Sequence, residues 1–350
     1  MMISVCDERV SCTGRIGFME DGAHFYWAAS SATVRFRGTR LSVTVRANSL
    51  WGCSALGLVV DGRVSKVPLL RENNGKEMTF VLADGQDAGQ EHTVILYKRL
   101  DASYDYTVVS FDTDGEFLPA LPRPALRLEF YGDSVTSGAC IECVDYVGRP
   151  DPCSNDSCYD NSWYGYAWQT ARALGAEVHT VSQGGISVFN GTGYFHGPDT
   201  IGMEDSWDKL CYFPEAGELT AWDFSRFVPQ AVVFAIGQND HHDAVRNTDD
   251  LTVSDPAYRE KWKEGYKAIV RGVASHYPAE TKYVFILTLL MHGAEWDEAI
   301  DEIVNELKDE GIDASHFLFR RNGAATPGHP RIPEHNEMAE ELTVYLRKVL

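Results

Sequence analysis

The stretch "ALRLEFYGDSVTSG", residues 125–138, decides how the second part of the chain is expected to fold. Residues 126–130 form an apolar, strand-like run, and small residues follow it. Ser134 therefore stands where a strand ends. At such a position a serine is either a nucleophile on a tight turn or a residue that caps a helix. The sequence around it has to distinguish these two interpretations.

After this stretch, strand-like and helix-like segments alternate to the end of the chain. Apolar runs predict further strands at residues 177–182, 230–237, 282–291 and 316–320. Amphipathic segments predict helices at residues 162–175, 255–278, 295–311 and 333–350. Strands that alternate with helices are typical of a parallel sheet covered on both faces. The second part is therefore predicted to be an α/β domain.

The first part of the chain has a different pattern. Its short runs alternate between apolar and polar residues, and turn residues interrupt them roughly every eight to twelve positions. This pattern favours an antiparallel β-sandwich. The proline-rich segment "LPALPRPAL", residues 118–126, indicates the boundary. We therefore expect a sandwich domain over residues 1–120 and an α/β domain over residues 121–350.

Charge and hydropathy restrict the partners and the location of the protein. The 350 residues carry a net charge of -20, which argues against nucleic acid and anionic membranes as partners. No apolar stretch approaches the ~20 residues of a membrane span. The start, "MMISVCDERVSCTGRIG", lacks the pattern of a secretory leader. We expect a cytoplasmic protein, or a secreted one if a leader has been removed, and the sequence does not predict an oligomeric state.

The chain has eight cysteines, and in a reducing compartment we expect them to be thiols. Four of them fall in one short segment after Ser134: Cys140, Cys143, Cys153 and Cys158. Four thiolates at such spacing can form a structural zinc site, and disulfides are the other alternative.

Three predicted strands end in polar, glycine-rich sequence, at residues 132–134, 182–185 and 237–240. The carboxyl ends of parallel strands meet at one edge of a sheet, so these segments should converge. Acyl transfer needs a nucleophile, a base and donors for an oxyanion. Ser134 can attack, while its own N–H, a glycine N–H and the Asn239 side chain can face one oxygen. The best-placed base is His329, in "TPGHPRIP" between the last predicted strand and helix.

The motifs "GDSVTSG", "GG", "GQND" and "HP" occur in this order over about two hundred residues. Together they resemble the SGNH (GDSL-type) hydrolases. The sandwich that ends in "HTVILYKRLDAS" and leads through prolines into the first motif resembles carbohydrate esterase family two. That family joins a jelly-roll-like domain to a flavodoxin-like SGNH domain and removes acetyl groups from xylan and related polysaccharides.

The resemblance implies a role for each motif residue. Ser134 would be the nucleophile, and His329 the general base and then the acid. The oxyanion hole would consist of the Ser134 N–H, Gly185 and Asn239. No metal or organic cofactor is implied.

The resemblance also implies a function. The protein would be a serine esterase that removes O-acetyl groups from acetylated xylan-type oligosaccharides through an acyl-enzyme. The alternatives are an SGNH esterase, lipase or thioesterase that acts on other acyl groups, and a carbohydrate-binding protein with an inactive site.

One position departs from the family pattern. Many relatives have an aspartate three residues before the histidine, where this chain has Thr326. We expect a backbone carbonyl to orient His329, as in a Ser–His dyad, with a carboxylate such as Glu334 or Asp297 as the alternative. His335, on the closing helix, is expected not to be the base.

Residues 189–213 form a long segment rich in aromatic and polar residues, and loops of this length tend to be functional. Aromatic rings stack on sugars, so we expect substrate contacts from this loop and from the segment after the predicted strand 282–291. Their alternative role is ordinary packing. The candidates are Tyr194, Phe195, Trp207, His292 and Trp296. The run His241-His242-Asp243 is predicted to be a solvated loop rather than a metal site.

Overall fold

A computed structural model describes residues 1–49, 52–101, 104–153, 157–194, 200–240 and 252–350. The predicted substrate residue Phe195 and the run His241-His242-Asp243 lie outside these ranges. Within them, no helix has the length and apolar character needed to cross a membrane.

Two antiparallel sheets form the first part of the protein. One has the order β3-β4-β11-β6-β9 with β1 beside β11, and the other has the order β12-β5-β10-β7-β8 with β2 beside β5. The strands are β1 (Met2–Ser4), β2 (Ser11–Thr13), β3 (Ile16–Met19), β4 (Gly22–Phe25), β5 (Ser31–Arg37), β6 (Leu41–Ser49), β7 (Ala55–Val60), β8 (Arg63–Pro68), β9 (Glu77–Ala83), β10 (His92–Lys98), β11 (Tyr104–Thr113) and β12 (Glu116–Leu118).

The alternation of β5 shows why this sequence forms a sandwich. Val34 and Phe36 are fully buried, while Arg35 and Arg37 point outward and both pair with Glu91. Successive side chains of a strand point to opposite faces, so this alternation gives each sheet one apolar face. The apolar faces of the two sheets share a single core, and the predicted β-sandwich is confirmed.

The second part is built on a parallel sheet with the order β14-β13-β17-β18-β19. A short antiparallel pair, β15 and β16, lies beside it. The elements are β13 (Arg127–Gly132), α1 (Ser134–Ser137), α2 (Tyr166–Leu174), β14 (Glu177–Ser182), α3 (Met203–Ser206), β15 (Lys209–Cys211), β16 (Thr220–Ala221), β17 (Ala231–Ala235), α4 (Pro256–Ala274), β18 (Lys282–Phe285), α5 (Ala294–Asp309), β19 (Ala314–His316) and α6 (Ile332–Val349).

Helices cover both faces of this sheet. Trp262 of α4 and Trp296 of α5 pack in the core on one face. Tyr166 of α2 packs with Met338 and Leu342 of α6 on the other face. The central strands are buried on both sides, which explains their nearly continuous apolar sequence. The predicted α/β domain is confirmed.

Buried polar contacts join the sandwich to the α/β domain. Arg15 is completely buried, and its guanidinium lies 3.0 Å from Glu129 and 2.6 Å from the Tyr131 hydroxyl, both on β13. Trp27 of the sandwich donates its indole N–H to the Leu210 carbonyl at 2.9 Å. Removing one partner of a buried ion pair typically lowers the free energy of unfolding by about 3–5 kcal/mol, because the other charge is left buried and unpaired. Separating the sandwich from the sheet would likewise break the Arg15 contact, so this contact helps to hold the two together.

The cysteines differ from the expectation of eight thiols. Cys53, in the loop between β6 and β7, forms a disulfide with Cys158 of the α/β domain. The predicted alternative of a four-cysteine zinc site is therefore wrong, because Cys158 is bonded elsewhere. Cys153 is exposed, whereas Cys140 and Cys143 are buried.

Candidate active site

Ser134 is the first residue of α1, and one residue, Asp133, separates it from the end of β13 at Gly132. The residue that caps this helix is Asp133, whose Oδ1 accepts the Val135 N–H at 2.9 Å. The Ser134 side chain points instead to His329, whose Nε2 lies 2.9 Å from Ser134 Oγ. The cap and the nucleophile are therefore two neighbouring residues, and the geometry of Ser134 is that of a nucleophile beside a base.

His329 lies in the loop before α6, and its side chain is about one quarter exposed (26%). Nδ1, on the other side of the ring, lies 2.6 Å from Asp151 Oδ2. A carboxylate on Nδ1 holds the proton there and leaves Nε2 as the acceptor for the serine proton. The expected backbone carbonyl is therefore wrong, because Asp151 occupies the position next to Nδ1.

Several contacts fix the position of Asp151. Its Oδ1 accepts the His329 N–H at 3.1 Å and Arg331 Nη2 at 2.8 Å. Gly328 has φ of +110°, and a Cβ at this residue would lie only 2.6 Å from Asp151 Oδ1. A side chain at position 328 would therefore push the carboxylate away from the histidine.

The two carboxylates that the sequence suggested for orienting His329 make other contacts. Glu334 accepts the Arg331 N–H at 2.8 Å and thereby caps α6. Its other carboxylate oxygen accepts the Thr326 N–H at 2.8 Å. Thr326 Oγ1 in turn accepts the Gly148 N–H at 2.9 Å. Thr326 therefore anchors the segment that delivers Asp151, although it cannot itself balance the charge of an imidazolium. The other candidate, Asp297, lies against His292.

The electrostatics agree with the roles of base and orienting carboxylate. Burial alone would lower the pKa of His329, but the hydrogen bond and charge of Asp151 outweigh this effect and raise it above the ordinary value. The charges of Asp160 and Asp133 act in the same direction. Burial would raise the pKa of Asp151, but the hydrogen bond and charge of His329, with Arg331, lower it to about 2. Asp151 is therefore an anion across the physiological range.

His335 is not part of this arrangement. Its Nδ1 accepts the Tyr166 N–H at 3.1 Å, and the two rings stack. Burial lowers the pKa of His335 to about 3, so it remains neutral. Its role is to connect α6 to α2.

The predicted oxyanion residues lie on the loops that follow β14 and β17. Asn239 donates one amide hydrogen to Asp133 Oδ2 at 3.2 Å, which orients the side chain beside the serine turn. A side-chain amide has two hydrogens, so it can also act as a donor to an oxyanion. In the other loop, the Gly184 N–H donates to Asp101 Oδ2 at 2.8 Å. The Gly184 N–H is therefore engaged with Asp101, and the assignment of the Gly185 N–H to the oxyanion hole stays a prediction.

Asp101 is a site residue that the sequence reasoning missed. It belongs to the sandwich domain, follows β10, and also accepts the Gln183 side chain at 2.9 Å. A Cβ on Gly184 would lie 2.8 Å from Asp101 Oδ2 and 3.8 Å from Ser134 Cβ, so the three residues are close neighbours. The available signal was the segment "HTVILYKRLDAS", which the resemblance already singled out and which contains Asp101.

The predicted substrate residues are placed differently from one another. Tyr194 is about half exposed (51%) and its N–H donates to the Gly185 carbonyl, so it stands next to the loop that follows β14, here called the oxyanion loop because it carries Gly184 and Gly185. Trp207 is partly buried and packs against Phe224 and His276 at the edge of the core.

The two candidates after β18 are buried. His292 binds the Leu290 carbonyl, Asp297 and Asn322, and its Nδ1 also contacts Gln238 of the "GQND" loop at 3.1 Å. Trp296 packs edge-on against Trp262. Both residues therefore support the loop and the core.

Comparison with known proteins finds similar sequences and a similar fold. Residues 12–122 match the family model described as Carbohydrate esterase 2 N-terminal. The chain is 29% identical over 352 residues to Cellulase/esterase CelE of Acetivibrio thermocellus, covering 96% of this chain and 39% of that protein. It is 27% identical over 248 residues to the Acetylxylan esterase / glucomannan deacetylase of Cellvibrio japonicus, covering 68% and 61%. The chain thus spans less than two thirds of the length of these curated relatives.

The similarity extends to a solved structure. A family two carbohydrate esterase from Clostridium thermocellum, in complex with cellohexaose, has a TM-score of 0.80 at 26% identity, covering 97% of this chain and 98% of that one. The resemblance inferred from the sequence motifs is confirmed. The chain is similar to the family two carbohydrate esterases: residues 12–122 match the family's N-terminal model, and the likeness to the solved esterase extends over both the sandwich and the α/β domain.

Proposed function

We propose that the protein is a serine esterase that removes O-acetyl groups from acetylated carbohydrate. The observation that carries this proposal is the line of contacts from Ser134 Oγ to His329 Nε2 at 2.9 Å and from His329 Nδ1 to Asp151 at 2.6 Å. Nucleophile, base and orienting carboxylate in this order are the arrangement used for acyl transfer.

In the first half of the reaction, Ser134 Oγ attacks the acetyl carbonyl carbon, and its proton passes to His329 Nε2. Asp151 stabilises the imidazolium that forms. The imidazolium then gives the proton to the departing sugar oxygen. The products of this half are an acetyl-enzyme and a free sugar hydroxyl.

In the second half, water gives a proton to His329 Nε2 and attacks the acetyl carbonyl. Acetate leaves, and the proton returns to Ser134 Oγ. In both halves the carbonyl oxygen gains negative charge. We assign the stabilisation of this charge to the N–H groups of Ser134 and Gly185 and to the Asn239 amide. Ser134 is at the start of α1, where helical N–H groups lack intrahelical acceptors. One such donor is typically worth about 10²–10³ in rate.

The proposed substrate class is acetylated xylan-type oligosaccharide. The names of relatives support it, since one is an acetylxylan esterase and glucomannan deacetylase and another binds cellohexaose. The exposed Tyr194 beside the oxyanion loop offers an aromatic face for a sugar ring.

The test is acetate release from acetylated xylo-oligosaccharides by the wild type, Ser134→Ala and His329→Ala. Ser137→Ala is the matched control, because Ser137 lies on the same helix but donates to the Asp133 carbonyl. We expect only the wild type and Ser137→Ala to release acetate. The same two proteins, and not Ser134→Ala or His329→Ala, should be labelled by a fluorophosphonate. Cleavage of an aryl acetate without release from the sugars would keep the esterase and reject the substrate. A wild type that is inactive on both, and is not labelled, would leave the carbohydrate-binding alternative.

A further inference from the structure

Cys140 lies beside the pair formed by Asp151 and His329. Each of the three residues has a potential metal-ligating atom, and these three atoms lie within 4.8 Å of one another. Cys140 is 1% exposed, and its backbone N–H donates to Asp160 at 2.7 Å, so the thiol is held in place. Among the residues that the structure describes, this is the group of three or more histidine, cysteine, aspartate or glutamate side chains whose ligand atoms are close enough to share an ion.

We propose that Cys140, Asp151 and His329 form an inhibitory binding site for a thiophilic divalent cation such as Zn²⁺. Sulfur, nitrogen and carboxylate oxygen are the ligands that zinc prefers, and three protein ligands leave a fourth position for water.

The geometry requires only small movements. Tetrahedral zinc with its usual bond lengths places two ligand atoms roughly 3.3–3.6 Å apart. The separations of up to 4.8 Å must close by about 1 Å, and the 2.6 Å contact between His329 Nδ1 and Asp151 must open as the metal replaces the proton.

The surrounding charges favour a cation. Asp160 and Asp133 add negative charge near His329. Arg331, which is paired with Asp151 at 2.8 Å, opposes the metal. Binding therefore depends on the sulfur ligand in addition to charge, and this selects zinc or cadmium over magnesium or calcium.

Metal binding would block the proposed base. When a cation takes the lone pair of Nδ1, the ring proton moves to Nε2, and the thiol proton of Cys140 is released to solvent. Nε2 then donates to Ser134 and cannot accept its proton. The effect on activity rests on the proposed function, but binding itself does not.

The test combines activity with a spectroscopic measurement. Zn²⁺ is titrated against hydrolysis of an aryl acetate by the wild type, Cys140→Ala and Cys140→Ser, each relative to its own metal-free rate. EDTA should restore activity. We expect both substitutions to weaken zinc inhibition about tenfold or more. Cys211→Ala, a buried thiol in another part of the core, is the matched control and should be inhibited like the wild type.

The second measurement needs no activity. In a Ser134→Ala background, Co²⁺ should produce a thiolate-to-cobalt absorption band that Cys140→Ala removes and Cys211→Ala retains. Equal zinc inhibition of the wild type and both Cys140 variants would overturn the proposal, as would a cobalt band that survives Cys140→Ala. An inactive wild type that still shows the Cys140-dependent band would refute the proposed function alone.

Discussion

Asp151→Asn tests whether the carboxylate sets the tautomer of His329. The new amide can be oriented in two ways. At the Oδ1 position, two donors already point at it, the His329 N–H at 3.1 Å and Arg331 Nη2 at 2.8 Å. The amide oxygen must therefore occupy this position, which places the NH₂ group against His329 Nδ1. Nδ1 then has to accept a hydrogen bond, and the ring proton moves to Nε2.

A histidine with its proton on Nε2 cannot accept the proton of Ser134. In the serine-protease template, this tautomer costs ~10⁴ in kcat. That factor corresponds to about 5 kcal/mol of transition-state stabilisation. We expect a loss of this size for Asp151→Asn, with little change in KM because the carboxylate faces the histidine.

The assay is steady-state hydrolysis of an aryl acetate, with circular dichroism to show that the variant is folded. Asp145→Asn is the control, since Asp145 is exposed in the same segment and should retain wild-type kcat. If Asp151→Asn keeps activity within tenfold of the wild type, Asp151 does not set the tautomer and the Ser–His pair works as a dyad.

Three further predictions follow from the structure. Because the pKa of His329 is raised above its ordinary value of 6.5 and the neutral ring is the active form, kcat/KM should fall as pH decreases through a midpoint above 6.5 in a pH–rate profile. Asp101→Ala should lower kcat about tenfold to a hundredfold by releasing the Gly184 N–H, and Asp101→Asn should restore most of it in the same assay. Cys53→Ser should reduce the free energy of unfolding by about 2–4 kcal/mol in denaturant titrations, because the bond to Cys158 closes a long loop. Reductant should lower the wild-type midpoint and leave that of the variant unchanged.

The parts of the site that follow from local rules could be predicted from the sequence. A buried strand that ends in "YGDS" places Ser134 at the carboxyl edge of a parallel sheet, and the same rule places Asn239 on a neighbouring strand end. Periodicity alone separated the sandwich from the α/β domain, because side chains alternate along strands and repeat every 3.6 residues along helices.

Contacts that depend on where a loop runs could not be predicted in this way. Asp151 is 178 residues from His329 in sequence and lies in a segment without regular periodicity. The resemblance implied an aspartate at position 326 and thus suggested a missing charge, whereas Thr326 anchors the loop that carries Asp151. The Cys53–Cys158 pairing likewise joins two loops of different domains.

By itself, the sequence determined the two-domain architecture, the family resemblance and the pairing of Ser134 with His329. The strands and helices follow from periodicity over short windows, and the motifs follow from their order along the chain. The meeting of Ser134 and His329 was inferred from the rule that the carboxyl ends of parallel strands lie at one edge of a sheet, together with the family resemblance. The tertiary structure alone decided which carboxylate contacts His329, which sandwich residue contacts the loop after β14 and which thiol lies beside the histidine. Those choices arise from long-range packing, where Asp151, Asp101 and Cys140 come within contact distance only after the loops and the two domains have closed on one another.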